Sequence, residues 1–123
     1  MIHINKRRLS GFRNSLLKYQ HQFYNKSNLW LIMKVALGVE YFGKNFHGWQ
    51  VQKSGLRTVQ SSVEASLAKV ANHPVRVFCS GRTDSGVHAM EQVIHFETSV
   101  IRTERAWLFG GNVNLPSDVN FKW

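Results

Sequence analysis

The order in which hydrophobic spacing changes along this chain restricts its fold more than any other feature. Val35, Leu37, Val39 and Tyr41 alternate with Lys34, Ala36, Gly38 and Glu40, the period of a half-buried strand. Residues 43–57 are rich in Gly, Asn, Lys and Ser and read as a long loop, the kind of segment in which binding residues often sit. Thr58 is a natural N-cap, and Val59, Val63, Leu67 and Val70 follow at helical spacing as one apolar stripe. Pro74 blocks continuation of that helix. Val75, Val77 and Cys79 alternate with Arg76, Phe78 and Ser80 as a second strand, and Gln92 to Phe96 forms a third. A short helix over Thr103–Phe109 is expected to stop at Gly110-Gly111, and Val119, Phe121 and Trp123 open a fourth strand. Strand, helix, strand, strand, helix, strand is the split β-α-β order of a ferredoxin-like α+β sandwich, one sheet with helices on one face.

The second strand ends directly at Gly81-Arg82-Thr83-Asp84-Ser85-Gly86-Val87-His88. Gly81 and Gly86 let this loop bend sharply and let a bulky ligand approach its backbone. Arg82 stands two residues from Asp84, where a positive charge favours the ionised carboxylate. Such an Asp serves as a nucleophile, a base or a ligand, whereas turn chemistry alone explains most Gly-flanked Asp residues.

The octapeptide resembles the signature G-R-T-D-[AS]-G-V-H of the tRNA pseudouridine synthase A family, and other segments extend the resemblance from about Met33 onward. Tyr41-Phe42-Gly43 with Phe46-His47-Gly48-Trp49-Gln50-Val51-Gln52 is similar to its Y-x-G…F-x-G-W-Q-x-Q segment. Thr58-Val59-Gln60 matches its next helix start, and Asn112 with Leu115-Pro116-Ser117-Asp118-Val119 resembles its N-x-x-L-P-x-D-[IV] element. The resemblance implies half of a pseudouridine synthase fold, in which two such halves build a continuous sheet around an RNA cleft. It implies isomerisation of uridine to pseudouridine in tRNA, with uridines of the anticodon stem-loop as expected targets and no metal or organic cofactor. Asp84 matches the family's nucleophilic aspartate, and Arg82 the arginine that holds the target nucleotide out of its stack. Thr83 and His88 belong to the same signature and are expected at the substrate, His88 on a phosphate or on the loop backbone. Trp49 is the candidate for stacking on RNA, with packing over the core as its alternative.

Where the family continues into a second half, this sequence ends at Trp123. The expectation is therefore a truncated synthase of little activity, without the family's downstream active-site tyrosine, a role that neither Tyr24 nor Tyr41 inherits. Homodimerisation, implied for full-length members, is not expected of it. The alternatives are a non-catalytic RNA-binding half-domain and an interaction domain in which the signature is an ordinary turn.

Charge adds an RNA argument of moderate strength. The formal net charge is +9, but residues 1–32 hold six basic side chains and no acid, so residues 33–123 contribute a surplus of only three. Arg57, Arg76 and Arg82 are the candidates for a local cluster that would attract phosphate. Residues 1–32 are expected to be a basic, disordered leader or upstream sequence before a start at Met33, or else a basic RNA-binding arm. Residues 33–123 are the expected synthase domain.

Several classes are excluded. One cysteine, Cys79, permits no intramolecular disulfide, so a secreted disulfide scaffold is out and a reducing cytoplasm is the expected compartment. No apolar run reaches the roughly 18–20 residues of a membrane span. The signature lacks the order of a phosphate-binding P-loop, and His47, His88 and His95 lack zinc-ligand spacing.

Overall fold

The computed structural model describes residues 21–25 and 30–123. Its central strand is β2, Trp30–Tyr41. Along one edge β2 pairs with β1 (His21–Asn25) and, further along, with β5 (Val119–Phe121); along the other it pairs with β4 (Ala89–Thr98). β3 (Val77–Cys79) closes the far edge by pairing with β4, and all these pairings are antiparallel. β2 and β3 are therefore parallel to each other with β4 between them, and the helix α1 (Val59–Ala71) makes the crossover.

β2 begins three residues before Met33, and the His21–Asn25 strand pairs with Trp30–Lys34, so backbone pairing crosses the expected boundary between leader and domain. Residues 1–20 and 26–29, where most of the expected disordered leader falls, lie outside the described residues.

The alternation in β2 has the expected consequence. Val35, Leu37, Val39 and Tyr41 turn to one face of the sheet and pack with Val77, Ile94, Phe96, Val119 and Phe121 beneath the Val59, Val63, Leu67 and Ala71 stripe of α1. Val70 is only partly buried and packs against the rim of this core.

The start of α1 satisfies every orphan donor of its first turn. The Val59 and Gln60 amides donate to the Gly48 and Trp49 carbonyls, at 3.2 and 2.9 Å. Thr58 and Ser61 cap each other reciprocally, as a capping box does. At the other end Asn72 takes the left-handed conformation (φ 58°), so the helix ends before Pro74 is reached.

The second helical segment differs from expectation. A π-helical turn at Ala106–Gly110 runs straight into α2 (Gly111–Asn114), so Gly110-Gly111 does not stop it. The glycines serve packing: a Cβ on Gly110 would lie 3.3 Å from Val70, and one on Gly111 would meet the Phe121 ring at about van der Waals overlap. The Gly111 carbonyl accepts a 2.6 Å hydrogen bond from Ser66 on α1, and Trp107 packs edge-on to Phe96 with centroids 5.1 Å apart. Trp123 also departs from its expected place. Gly38 bonds to Lys122 through its carbonyl and to Trp123 through its amide, so two residues oppose one and the Trp123 ring swings over Gly38 on the face away from the helices.

Leu67 is fully buried at the centre of the α1 stripe. Leu67→Ala is expected to lower unfolding free energy by about 2–5 kcal/mol in urea titration, and a loss below about 1 kcal/mol would contradict this account of the core.

Candidate functional site

The signature loop leaves the sheet at the end of β3 and lies against the 42–49 loop that follows β2. Their contact is backbone on backbone. The Trp49 amide donates to the Thr83 carbonyl at 3.0 Å, the Gly86 amide to the Phe46 carbonyl at 3.2 Å, and Ser85 Oγ to the same carbonyl at 3.3 Å. Such proximity requires glycine on the facing strand of chain. A Cβ on Gly43 would collide with the Val87 carbonyl, and Gly48, at φ 81°, would place one 2.9 Å from the Thr83 oxygen.

The tip of the loop is a tight turn. The Val87 amide donates to the Asp84 carbonyl at 3.2 Å, and Gly86 takes φ 79° at the third position, as a type II turn demands. Asp84 is thereby presented to solvent just beyond the sheet. Among the described residues no hydrogen bond or ion pair engages its carboxylate. The pairing expected between Asp84 and Arg82 is accordingly not among the ion pairs of the described residues; Arg82 is exposed, and its charge acts instead on Cys79 below.

Three of the residues expected at the substrate are engaged elsewhere. Trp49 is only 2% exposed, tilted against Tyr41 with ring centroids 6.0 Å apart, and cannot stack on a base where it stands. A tryptophan in a glycine-rich loop is buried here because its carbonyl caps α1 while its amide holds Thr83. Thr83 Oγ1 shares a 2.8 Å hydrogen bond with the Tyr41 hydroxyl. His88 Nδ1 accepts the Gly43 amide at 2.8 Å, which leaves the neutral ring's proton on Nε2, and the ring meets Phe42 edge-on at 5.7 Å. The bond expected between His88 and the loop backbone is present, at the Gly43 amide.

Beneath the loop lies a polar group that sequence reading passed over. Ser80 Oγ donates to Gln92 Oε1 at 2.9 Å, and Gln92 Nε2 donates to the Gly81 carbonyl. Burial pushes the Tyr41 hydroxyl above its ordinary pKa, against hydrogen bonds from Thr83 and Gln92 that favour the phenolate. Burial likewise raises the Cys79 thiol, with the Arg82 charge opposing it. Cys79 packs against the core, in keeping with a small apolar residue.

A second cluster holds the other side of the 42–57 loop. Arg57 forms a fork with Asp118, its Nη1 and Nη2 at 2.9 and 2.8 Å from the two carboxylate oxygens. Its guanidinium lies 3.8 Å from the Phe46 ring centroid and donates to the Asn45 carbonyl. Arg57 is thus a clamp between the loop and the segment leading into β5, not a free charge beside Arg82. Its hydrogen bonds hold the Asp118 carboxyl below the usual carboxylate range. Arg76 sits by Phe78, 5.7 Å from the ring centroid.

The protein is a small α+β domain that presents an exposed carboxylate on a fastened loop at the end of its sheet, and loops held by a rigid scaffold are where binding and catalytic residues are often found. The family profile described as tRNA pseudouridine synthase matches residues 38–123. The chain belongs to that family. It is similar to proteins called tRNA pseudouridine synthase A: that of Alcanivorax borkumensis is 56% identical over 90 residues, 73% of this chain and 34% of the relative. That of Mannheimia succiniciproducens is 56% identical over 91 residues, and that of Actinobacillus succinogenes 58% over 91, each covering 74% of this chain and 34% of the relative. The chain therefore spans about a third of the length of the curated relatives it matches. No helix among the described residues is long and apolar enough to cross a membrane.

Gly43→Ala is expected to destabilise the fold by about 1–3 kcal/mol or more through overpacking against Val87. Gly81, whose added Cβ would meet nothing within 4 Å, supplies the control, and Gly81→Ala is expected to stay within about 0.5 kcal/mol. Equal effects in denaturant titration would refute the docked-loop account. A further expectation concerns pH. Because the folded Asp118 carboxyl titrates below its unfolded value of about 3.9, its contribution is present above that pH and is lost as pH falls through the folded value. The stability gap between the protein and Asp118→Asn, about 1 kcal/mol or less for so exposed a pair, is expected to be level from neutral pH to about 5 and to close in stronger acid. A gap unchanged at acid pH would show that the carboxylate charge contributes nothing.

Proposed function

We propose that this chain is the aspartate-bearing part of a tRNA pseudouridine synthase, isomerising uridine to pseudouridine in the anticodon stem-loop of tRNA with Asp84 as nucleophile. The observation that carries this reading is the geometry of Asp84: an exposed carboxylate without a protein partner among the described residues, on a loop bound to its neighbours through Thr83, Ser85, Gly86 and His88. Such a group is held in place before substrate arrives, as covalent catalysis by a carboxylate requires.

In the reaction the bond from the ribose anomeric carbon to the uracil nitrogen breaks. The base turns, its carbon 5 bonds to the same anomeric carbon, and the proton lost from carbon 5 balances the one gained by the nitrogen. Asp84 either attacks the ribose or assists the departure of the base. Neither route calls on a metal or an organic cofactor. Arg82, exposed beside Asp84 and without an ion-pair partner among the described residues, is assigned to the vacated space in the RNA stack, where a planar guanidinium stacks well. Thr83 and His88 act on substrate through the loop they fasten.

The β5-β2-β4-β3 order, with β2 and β3 parallel and α1 as crossover, supports reading residues 33–123 as the ferredoxin-like half of the synthase fold. The preceding residues are read as a basic leader, and the reducing cytoplasm remains the proposed compartment. The second reading, an RNA-binding half-domain without catalysis, is supported by the exposed Arg76 and Arg82.

The test is pseudouridine formation in an unmodified tRNA transcript, read by chemical adduct mapping. Conversion by the protein and a loss of about three orders of magnitude or more in Asp84→Asn are expected. Conversion retained in the variant would remove Asp84 from the mechanism, and tRNA binding without conversion by either protein would favour the second reading.

A further inference from the structure

We infer that Gln92 is a positioning residue for the loop that carries Asp84, an inference that rests on the reading of Asp84 as the reacting group. Gln92 lies just past an irregularity in β4. Val39 pairs with Gln92 but Tyr41 pairs with Ala89, so Met90 and Glu91 together oppose Glu40. That extra residue lets Gln92 and Ala89 both face the helix side of the sheet, and it brings a 7%-exposed carboxamide under the point where the chain leaves β3.

Both ends of that carboxamide hold the exit. Oε1 accepts from Ser80 Oγ at 2.9 Å, and Nε2 donates to the Gly81 carbonyl. The Ser80 amide donates to the Val93 carbonyl at 3.0 Å, and past this bond the chain departs toward Arg82 and Asp84. Two residues beyond Gly81 the chain is held again, by Tyr41 at the Thr83 hydroxyl and by Trp49 at the Thr83 carbonyl. Gln92 thus fixes one end of the four-residue approach to Asp84, and Tyr41 with Trp49 fixes the other.

The amide, not merely its size, is required. A carbonyl oxygen only accepts, so the group facing Gly81 must donate. A carboxylate of the same shape in Gln92→Glu sets acceptor against acceptor at Gly81, while the Ser80 hydroxyl adapts to either partner. A displacement of about 1 Å at a reacting group is enough for a loss of about 100-fold in rate.

The test uses amide spectra and hydrogen exchange of the protein and its Gln92→Glu and Gln92→Ala variants. The Gly86 and Val87 amides, which donate to the Phe46 and Asp84 carbonyls, report on the loop; amides within α1 report on global stability. The expected result is a shift of the loop resonances and exchange at Gly86 and Val87 faster by about tenfold or more, with α1 amides within about twofold of the parent. Unchanged loop exchange, or loop and helix accelerated together, overturns the inference, because a residue that only supports the fold loosens both alike. In the conversion assay Gln92→Glu is expected to lower kcat by about 10–100-fold with KM for tRNA within about threefold, and a change confined to KM contradicts it. The two readings fail separately. If Asp84→Asn still converts tRNA while Gln92→Glu loosens the loop, the assignment of Asp84 falls; if Asp84→Asn is inactive and Gln92→Glu matches the parent in exchange, the role of Gln92 falls.

Discussion

β2 is the element on which the rest of this structure depends, because it is paired along both edges and supplies four side chains to the core. β4 binds one side of it, and β1 and β5 share the other, while Val35, Leu37 and Val39 are buried against α1. Tyr41, the last of the alternating residues, links this scaffold to the site. Its ring is in the core and its hydroxyl holds Thr83, four residues past the end of β3 and one before Asp84. A buried phenol needs a partner for its hydroxyl, and the signature loop provides it.

From that anchor the site is built mainly by backbone. The two loops touch through amides and carbonyls, and Gly43 and Gly48 remove the side chains that would separate them. The result separates two kinds of polar residue. Thr83, Ser85 and His88 spend their hydrogen-bonding atoms on the fold, whereas Asp84 and Arg82 are left to solvent. Arg57 and Asp118 secure the far side of the 42–57 loop with a charge pair and an aromatic face, so the loop is held from both flanks. Motifs separated by more than sixty residues in the chain thereby become neighbours.

Much of this was legible before the structure. Period-two and helical spacing located β2, α1, β4 and β5, because each has one face in the core and one in water. Thr58 was identifiable as a cap from its residue type and position. Trp49 was not, since its burial depends on a carbonyl that caps α1 and an amide that holds Thr83, contacts invisible in the local pattern. The same limit applies to Gly110-Gly111: the pair reads locally as a helix stop, yet Val70 and Phe121 pack so close that only glycine fits within the turn. Gln92 appeared merely as a polar residue opening a strand, and the irregularity that turns it inward is one extra β4 residue opposite Glu40, which the local pattern does not mark.

The sequence by itself determined the succession of strands and helices, the residues of the apolar face and the loop that carries Asp84, because these follow from local periodicity and short contiguous motifs. Tertiary structure decided which polar atoms hold that loop and which side chains it leaves exposed. Hydrogen-bond partners such as Tyr41 with Thr83, Gly43 with His88, and Gln92 with Gly81 are set by the register and packing of distant segments, and spacing along the chain does not encode that geometry.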